Sequence, residues 1–223
     1  MNKIVIAIDS FKGCLTSEEA GIAVMKGIKT IFPDCEILLF PIADGGEGML
    51  DVLISATQGK YRTLPAHGPL MELIQTQYGI SGDGQTALIE MAAISGLPLV
   101  PEEKRNPMLT TTYGTGELIL DALEQGCRRF IVGIGGSATN DAGLGMLQAL
   151  GFRFLDKRGN LLGTGGKIMS QVASIDTSAV HPALKETRFT IACDVHNPFC
   201  GSDGAAYIFA PQKGADARMV KEL

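Results

Sequence analysis

Three acidic residues close apolar runs that read as buried strands: Asp9 after residues 3–8, Asp44 after 36–42 and Asp194 after 188–193. Glycine-rich turns stand beside two further runs, and a few cations, Lys12, Arg105 and Lys213, lie in polar loops. These are the parts that phosphoryl transfer needs. Phosphate charge must be held by N–H groups and cations, a magnesium ion by carboxylate oxygens, and the attacking hydroxyl by a base. No GxxxxGK[ST] motif occurs and the protein-kinase signatures are absent, so any such chemistry runs on neither of those scaffolds.

The stretch 129–141 is the most specific piece. Residues 130–134 form an apolar run without alternation, as in a strand covered on both faces. Gly135 and Gly136 follow, then Ser137, Thr139, Asn140 and Asp141, residue types that cap helices, and then Leu144, Leu147, Ala149 and Leu150 as an apolar helix face. Glycines permit positive φ and close approach, so several amides can point at one anion. Glycine turns also join strands to helices in ligand-free α/β folds. Two more such turns, residues 44–48 and 114–117, make packing alone a poor account of all three. A rival reading takes residues 133–138 as GxGxxA, with Asp156 on a ribose hydroxyl, which implies an oxidoreductase binding a nicotinamide dinucleotide. That leaves Lys12, Asp44 and Asp194 without roles. A third possibility is a non-catalytic sensor of small anions.

The elements that must position these groups follow from local signals. Thr16 and Glu19 form a capping box ahead of apolar residues at helical spacing, Ala20, Ala23, Val24, Ile28 and Ile31. The order strand, helix, strand and a further helix through Leu50, Leu53 and Ile54 implies a parallel sheet, whose ligands sit at the carboxyl ends of strands, where Asp9, Lys12, Asp44 and Glu47 fall. From residue 60 the texture changes to a meander, strands at 61–66, 72–80 and 85–91, which places a domain change near 60. Residues 110–116 lead into a helix at 117–125, the strand at 130–134 follows, and a last strand ends at Asp194.

Composition narrows the classes. The chain of 223 residues is apolar enough to bury a real core, and its net charge of −5 without a basic stripe argues against nucleic acid or an anionic membrane as partner. Its longest apolar stretches are far too short for a bilayer span, and Asp9 and Lys12 interrupt any leader-like start. Five scattered cysteines without a CxxC pair indicate neither a disulfide framework nor a zinc site, and a reducing cytoplasm is expected. His67, His181 and His196 lie in no GxSxG or HExxH context, which lowers the odds of a hydrolase. Residues 215–223 read as a helix ending without a glycine or turn, from which a downstream portion is expected.

Seven blocks of text carry a resemblance: 9–13 (DSFKG), 43–48 (ADGGEG), 105–107 (RNP), 111–119 (TTYGTGELI), 133–141 (GIGGSATND), 192–195 (ACDV) with 197–198 (NP), and 211–215 (PQKGA). With them the chain closely resembles the bacterial type 1 glycerate kinase family. The resemblance implies an ATP-dependent kinase of D-glycerate that uses Mg²⁺ and forms mainly 2-phosphoglycerate rather than 3-phosphoglycerate. It also implies an α/β fold of two parts. Residues 1–60 would begin a flavodoxin-like parallel-sheet domain completed downstream, and 61–223 would form an inserted second α/β domain, itself incomplete here, resembling the restriction-endonuclease fold.

Roles follow as expectations. Asp194 is the preferred base for the C2 hydroxyl, Asp9 the second choice, and Lys12 with Ser10 meets phosphate or the substrate carboxylate. Asp44 and Glu47 hold magnesium or substrate hydroxyls, and Arg105 forks onto the glycerate carboxylate. Gly135, Gly136, Ser137 and Thr139 take an anion, with Asn140 and Asp141 as capping or ligand groups, and Thr112, Gly114, Thr115, Asn197 and Lys213 complete the binding set. The sequence departs from the family pattern at Ile8, where proline is usual, and Ala142, where glycine is usual. His196 reads as a loop residue and Cys193 as an apolar filler.

Overall fold

The computed structural model describes residues 2–11, 14–43, 45, 46 and 48–223, so the expectations for Lys12, Asp44 and Glu47 lie outside the described residues. Strands β1 (Lys3–Ile8) and β2 (Glu36–Pro41) pair in parallel through helix α1 (Ser17–Ile31). The capping box forms as expected: Glu19 N–H donates to Thr16 Oγ1 at 3.2 Å, and Thr16 N–H to the Glu19 carboxylate at 2.9 Å. Buried Ser17 then ties the helix start to both strand ends, its hydroxyl 3.1 Å from the Ile8 carbonyl and 2.6 Å from that of Ile42. Helix α2 (Met49–Thr57) follows, and its Leu50 and Ile54 pack on Leu88.

The remaining elements are β3 (Lys60–His67), β4 (Leu73–Ile80), β5 (Thr86–Glu90), α3 (Ala92–Ser95), α4 (Tyr113–Glu124), β6 (Arg129–Gly133), α5 (Leu144–Ala149), β7 (Arg153–Leu155), β8 (Ser174–Asp176), β9 (Arg188–Ala192), α6 (Ala205–Phe209) and α7 (Ala217–Glu222). They give a mixed α/β architecture. The five-stranded sheet runs β3-β4-β5-β6-β9, with antiparallel pairing from β3 to β5 and parallel pairing from β5 to β9; β7 and β8 form a separate hairpin. The expected meander is therefore present. Its core lies between this sheet and α4, where Tyr78, Ile89, Ile94, Leu118, Ile119 and Phe130 are almost fully buried. Each such large apolar side chain contributes about 1.5–3 kcal/mol by leaving water.

Two expectations change. Strand β1 is not covered on both faces, with Val5 58% exposed, and β9, at the edge of its sheet, is exposed from Arg188 through Ile191, the last at 51%. Helix α4 starts at Tyr113 rather than 117, which makes Gly114-Thr115-Gly116 its first turn and not a loop. The reason is packing. A Cβ on Gly114 would stand 1.9 Å from the His67 carbonyl, and one on Gly116 2.3 Å from that of Met146, so only glycine lets α4 lie this close to β3 and α5.

Candidate active site

Three segments distant in sequence meet at the carboxyl ends of the central strands. Glu90, Gly133 and Ala192, the last residues of β5, β6 and β9, lie side by side in register. The Gly45-Gly46 turn, which leads into α2, rests on them. Gly135 N–H donates to the Gly45 carbonyl at 3.4 Å and Ile134 N–H to the Ala192 carbonyl at 3.4 Å. A Cβ on Gly45 would approach the Ala192 oxygen to 2.8 Å, and one on Gly135 the Gly46 Cα to 2.9 Å. Both glycine turns are thus required where they touch. Asp194 follows the end of β9 and is exposed; Asp9 follows β1, half-buried, and accepts Ser10 N–H at 2.6 Å.

The turn after β6 is anchored from below and open above. Leu97 N–H donates to the Gly136 carbonyl at 2.9 Å, Ala138 N–H to that of Ser95 at 2.8 Å, and Thr110 Oγ1 to that of Ala138 at 2.8 Å. The amides of Gly136 and Ser137 find no acceptor among the described residues, and Gly136, at φ +72°, is exposed. From 74 residues further along the chain, Lys213 reaches under this turn: its Nζ donates to the Thr139 carbonyl at 2.6 Å and to Ser137 Oγ at 2.8 Å. Lys213 is 8% exposed. Burial pulls its ammonium down to about 8, with the Asp141 carboxylate pulling the other way. Arg105 adjoins it, its backbone carbonyl packed on Gly214 so closely that a Cβ there would fall at 2.1 Å. Its Nε is buried without a partner among the described residues. Free amides, a buried ammonium and a guanidinium nitrogen lacking an acceptor suit a phosphate or carboxylate ligand.

Several residues expected to bind ligand make hydrogen bonds within the scaffold. Asp141, 1% exposed, accepts from Thr112 N–H and Thr112 Oγ1, both at 2.9 Å, from Gly143 N–H at 3.1 Å and from Gly145 N–H at 3.2 Å. These bonds join the starts of α4 and α5. Thr112 Oγ1 also accepts Met146 N–H at 2.9 Å, and Thr115 Oγ1 lies 2.9 Å from Ser95 Oγ in the core. With Gly114 against His67, these three shape the turn from behind. Glu117, read as a turn acid, holds His67, accepting its backbone N–H at 2.7 Å with Nδ1 at 2.8 Å from its other oxygen. Asn140 is half-buried beside Gly166, and Asn197 is exposed, its amide donating to the Asp203 carbonyl at 3.0 Å.

The dinucleotide reading lacks its geometry. It needs a helix opening directly on the glycines, but α5 begins at Leu144, and Asp156 is occupied in its own turn by Arg158 N–H at 2.8 Å and Asn160 N–H at 2.9 Å. A residue not foreseen is Glu90, 8% exposed at the end of β5, whose carboxylate accepts Leu50 N–H at 3.2 Å. The signal was available: a lone acid closes an apolar run, as at Asp9 and Asp194. A cleft of about 880 Å³ opens between α1 and α2, lined by Ser10, Ser17, Asp51, Tyr61, Gln77 and Glu90 among others. Among the described residues no group of three His, Cys, Asp or Glu side chains could hold a metal ion. No helix there is long and apolar enough to cross a membrane.

This α/β scaffold with glycine turns gathered at strand ends is that of the glycerate kinase family, whose model matches residues 4–223, and the chain belongs to that family. Over 221 residues it is 53% identical to the glycerate kinase of Haemophilus influenzae (strain Rd), covering 99% of this chain and 58% of that relative. It is also 53% identical, over the same shares, to the glycerate 2-kinase of Escherichia coli (strain K12). A crystal structure described as glycerate kinase 2 of Salmonella typhimurium LT2 superposes with a TM-score of 0.89 at 47% identity, covering 99% of this chain and 59% of that one. The chain therefore spans less than two thirds of the length of the relatives it matches.

Proposed function

We propose that this chain carries nucleotide- and substrate-binding machinery of an ATP-dependent kinase that transfers phosphate to the C2 hydroxyl of D-glycerate, giving 2-phosphoglycerate. The observation that carries the reading is the convergence of the Gly45-Gly46 turn, the Gly135–Thr139 turn and the Ala192–Asp194 strand end, with Lys213 and Arg105 alongside. In this reading the amides of Gly136 and Ser137, backed by Lys213, hold phosphate oxygens. Arg105 takes the glycerate carboxylate, with Lys12 and Ser10 on the same or the phosphate charge. Asp194 removes the hydroxyl proton, with Asp9 the alternative base. Asp44 and Glu47 are assigned to Mg²⁺, which when bound neutralises charge on the transferring group. Thr112, Gly114, Thr115 and Asp141 act through the backbone they fix, and Asn140 and Asn197 border the site.

The same reading makes residues 1–60 the first part of a flavodoxin-like domain and 61–223 an inserted domain akin to the restriction-endonuclease fold, working in the cytoplasm on small molecules. A coupled assay of ADP release against a panel of small hydroxy acids tests it. Release that depends on D-glycerate and Mg²⁺, with phosphorus NMR showing the 2-phosphate ester, is expected. Release independent of every hydroxy acid, or a response to NAD(H) instead, contradicts it.

A further inference from the structure

Glu90 places a carboxyl group where a charge is costly to bury. It is 8% exposed, at the end of a strand whose preceding residues, Ala87, Leu88 and Ile89, are completely buried. A buried carboxylate survives only where donors and positive charge surround it. One of its partners is the Leu50 amide, 3.2 Å from Oε2 and 40 residues away in sequence. Leu50 is the second residue of α2, whose N-cap is Gly48 at φ +89°, a residue with no side chain to accept an orphan amide. The Glu90 carboxylate therefore does from the sheet what an aspartate or serine would do at the cap, and it meets the positive end of the helix.

What this fixes is the approach to the site. The Gly45-Gly46 turn leads straight into α2 and touches Gly133, Gly135 and Ala192. Glu90 lies next to Gly133 in register, so one side chain locks the start of α2 onto the strand end where those turns meet. We propose that Glu90 is a positioning residue, which sets the Gly45-Gly46 turn against β6 and β9 by capping α2 from outside the helix. The role rests on the kinase reading above, whereas the cap does not.

The test compares E90Q and E90A by hydrogen exchange at the Leu50 amide and by kcat/KM for D-glycerate, measured well below the melting temperature of each protein. The expected result for E90A is exchange faster by roughly tenfold, the usual worth of a helix cap, and kcat/KM lower by about 100-fold, the cost of ångström-scale misplacement. E90Q keeps a carbonyl oxygen for Leu50 N–H and should recover at least about tenfold of that loss. Unchanged exchange in E90A removes the cap and with it the proposal. Faster exchange with unaltered kcat/KM makes Glu90 structural only. E90Q with wild-type exchange but the catalytic defect of E90A places the carboxylate in the chemistry. A wild-type chain with no glycerate-dependent ADP release, but with faster exchange in E90A, leaves the cap standing and overturns the kinase reading and the positioning role together.

Discussion

Lys213 Nζ lies 2.8 Å from Ser137 Oγ although 76 residues separate them, and the contact closes the turn after β6 from beneath. Burial holds the Lys213 ammonium at about 8, below the ordinary 10.5. Its charge is present below pH 8 and lost as pH rises through that value. With this cation serving the phosphate turn, kcat/KM should fall above pH about 8. The stability contribution of the same group runs the other way. The unfolded chain still binds the proton between pH 8 and 10.5, so stability from this residue rises across that window. A pH–rate profile beside thermal unfolding at each pH checks both signs. K213A should lose about 10²–10³ in kcat/KM, the range for one preorganised donor, and should lose the alkaline limb.

Ala142 takes φ +52°, a left-handed conformation that a side chain disfavours. A142G should therefore stabilise the protein by about 1 kcal/mol, raising the melting temperature by roughly 2–4 °C for a chain of this size. Calorimetry or urea unfolding reads it directly, and a loss of stability would show that the strain is not there to relieve.

Asp141 gathers backbone and hydroxyl donors from Thr112, Gly143 and Gly145. D141N turns one acceptor into a donor facing other donors, so about 2–3 kcal/mol should be lost, the range for hydrogen bonds to a charged group. Denaturant midpoints check this. D141N with wild-type stability would instead free the carboxylate for a ligand role.

Asp194 follows the end of β9 in an exposed position, with no helix capped on it among the described residues. As the base for the C2 hydroxyl it should show D194N lowered in kcat by roughly 10²–10⁴ with little change in melting temperature. Near-normal turnover would pass the role to Asp9, whose own variant, D9N, would then carry the deficit.

Much of the fold was legible because its signals are local. Thr16 and Glu19 announce their capping box three residues apart, and the change of texture at residue 60 marks the meander. The sequence places the helix start at 117 and not 113, because Gly114 and Gly116 look the same whether they bind an anion or admit a neighbour. The His67 and Met146 carbonyls decide it, and both belong to other segments. The same limit hid Glu90, whose meaning lies in Leu50, and divided the expected ligands Ser137 and Thr112, one beside open amides and one locked onto Asp141. Residue types named the chemistry, while the division into contact and support came from tertiary pairing.

In the kinase reading, separate glycine turns and a strand end form one ligand site. Hydrogen exchange measured with and without D-glycerate and a magnesium complex of a non-hydrolysable ATP analogue shows whether they do. Slowed exchange appearing together at Gly136 and Ser137, at Gly45 and Gly46, and through residues 193–195 is predicted. Protection confined to one of these segments, or falling elsewhere in the chain, would contradict it.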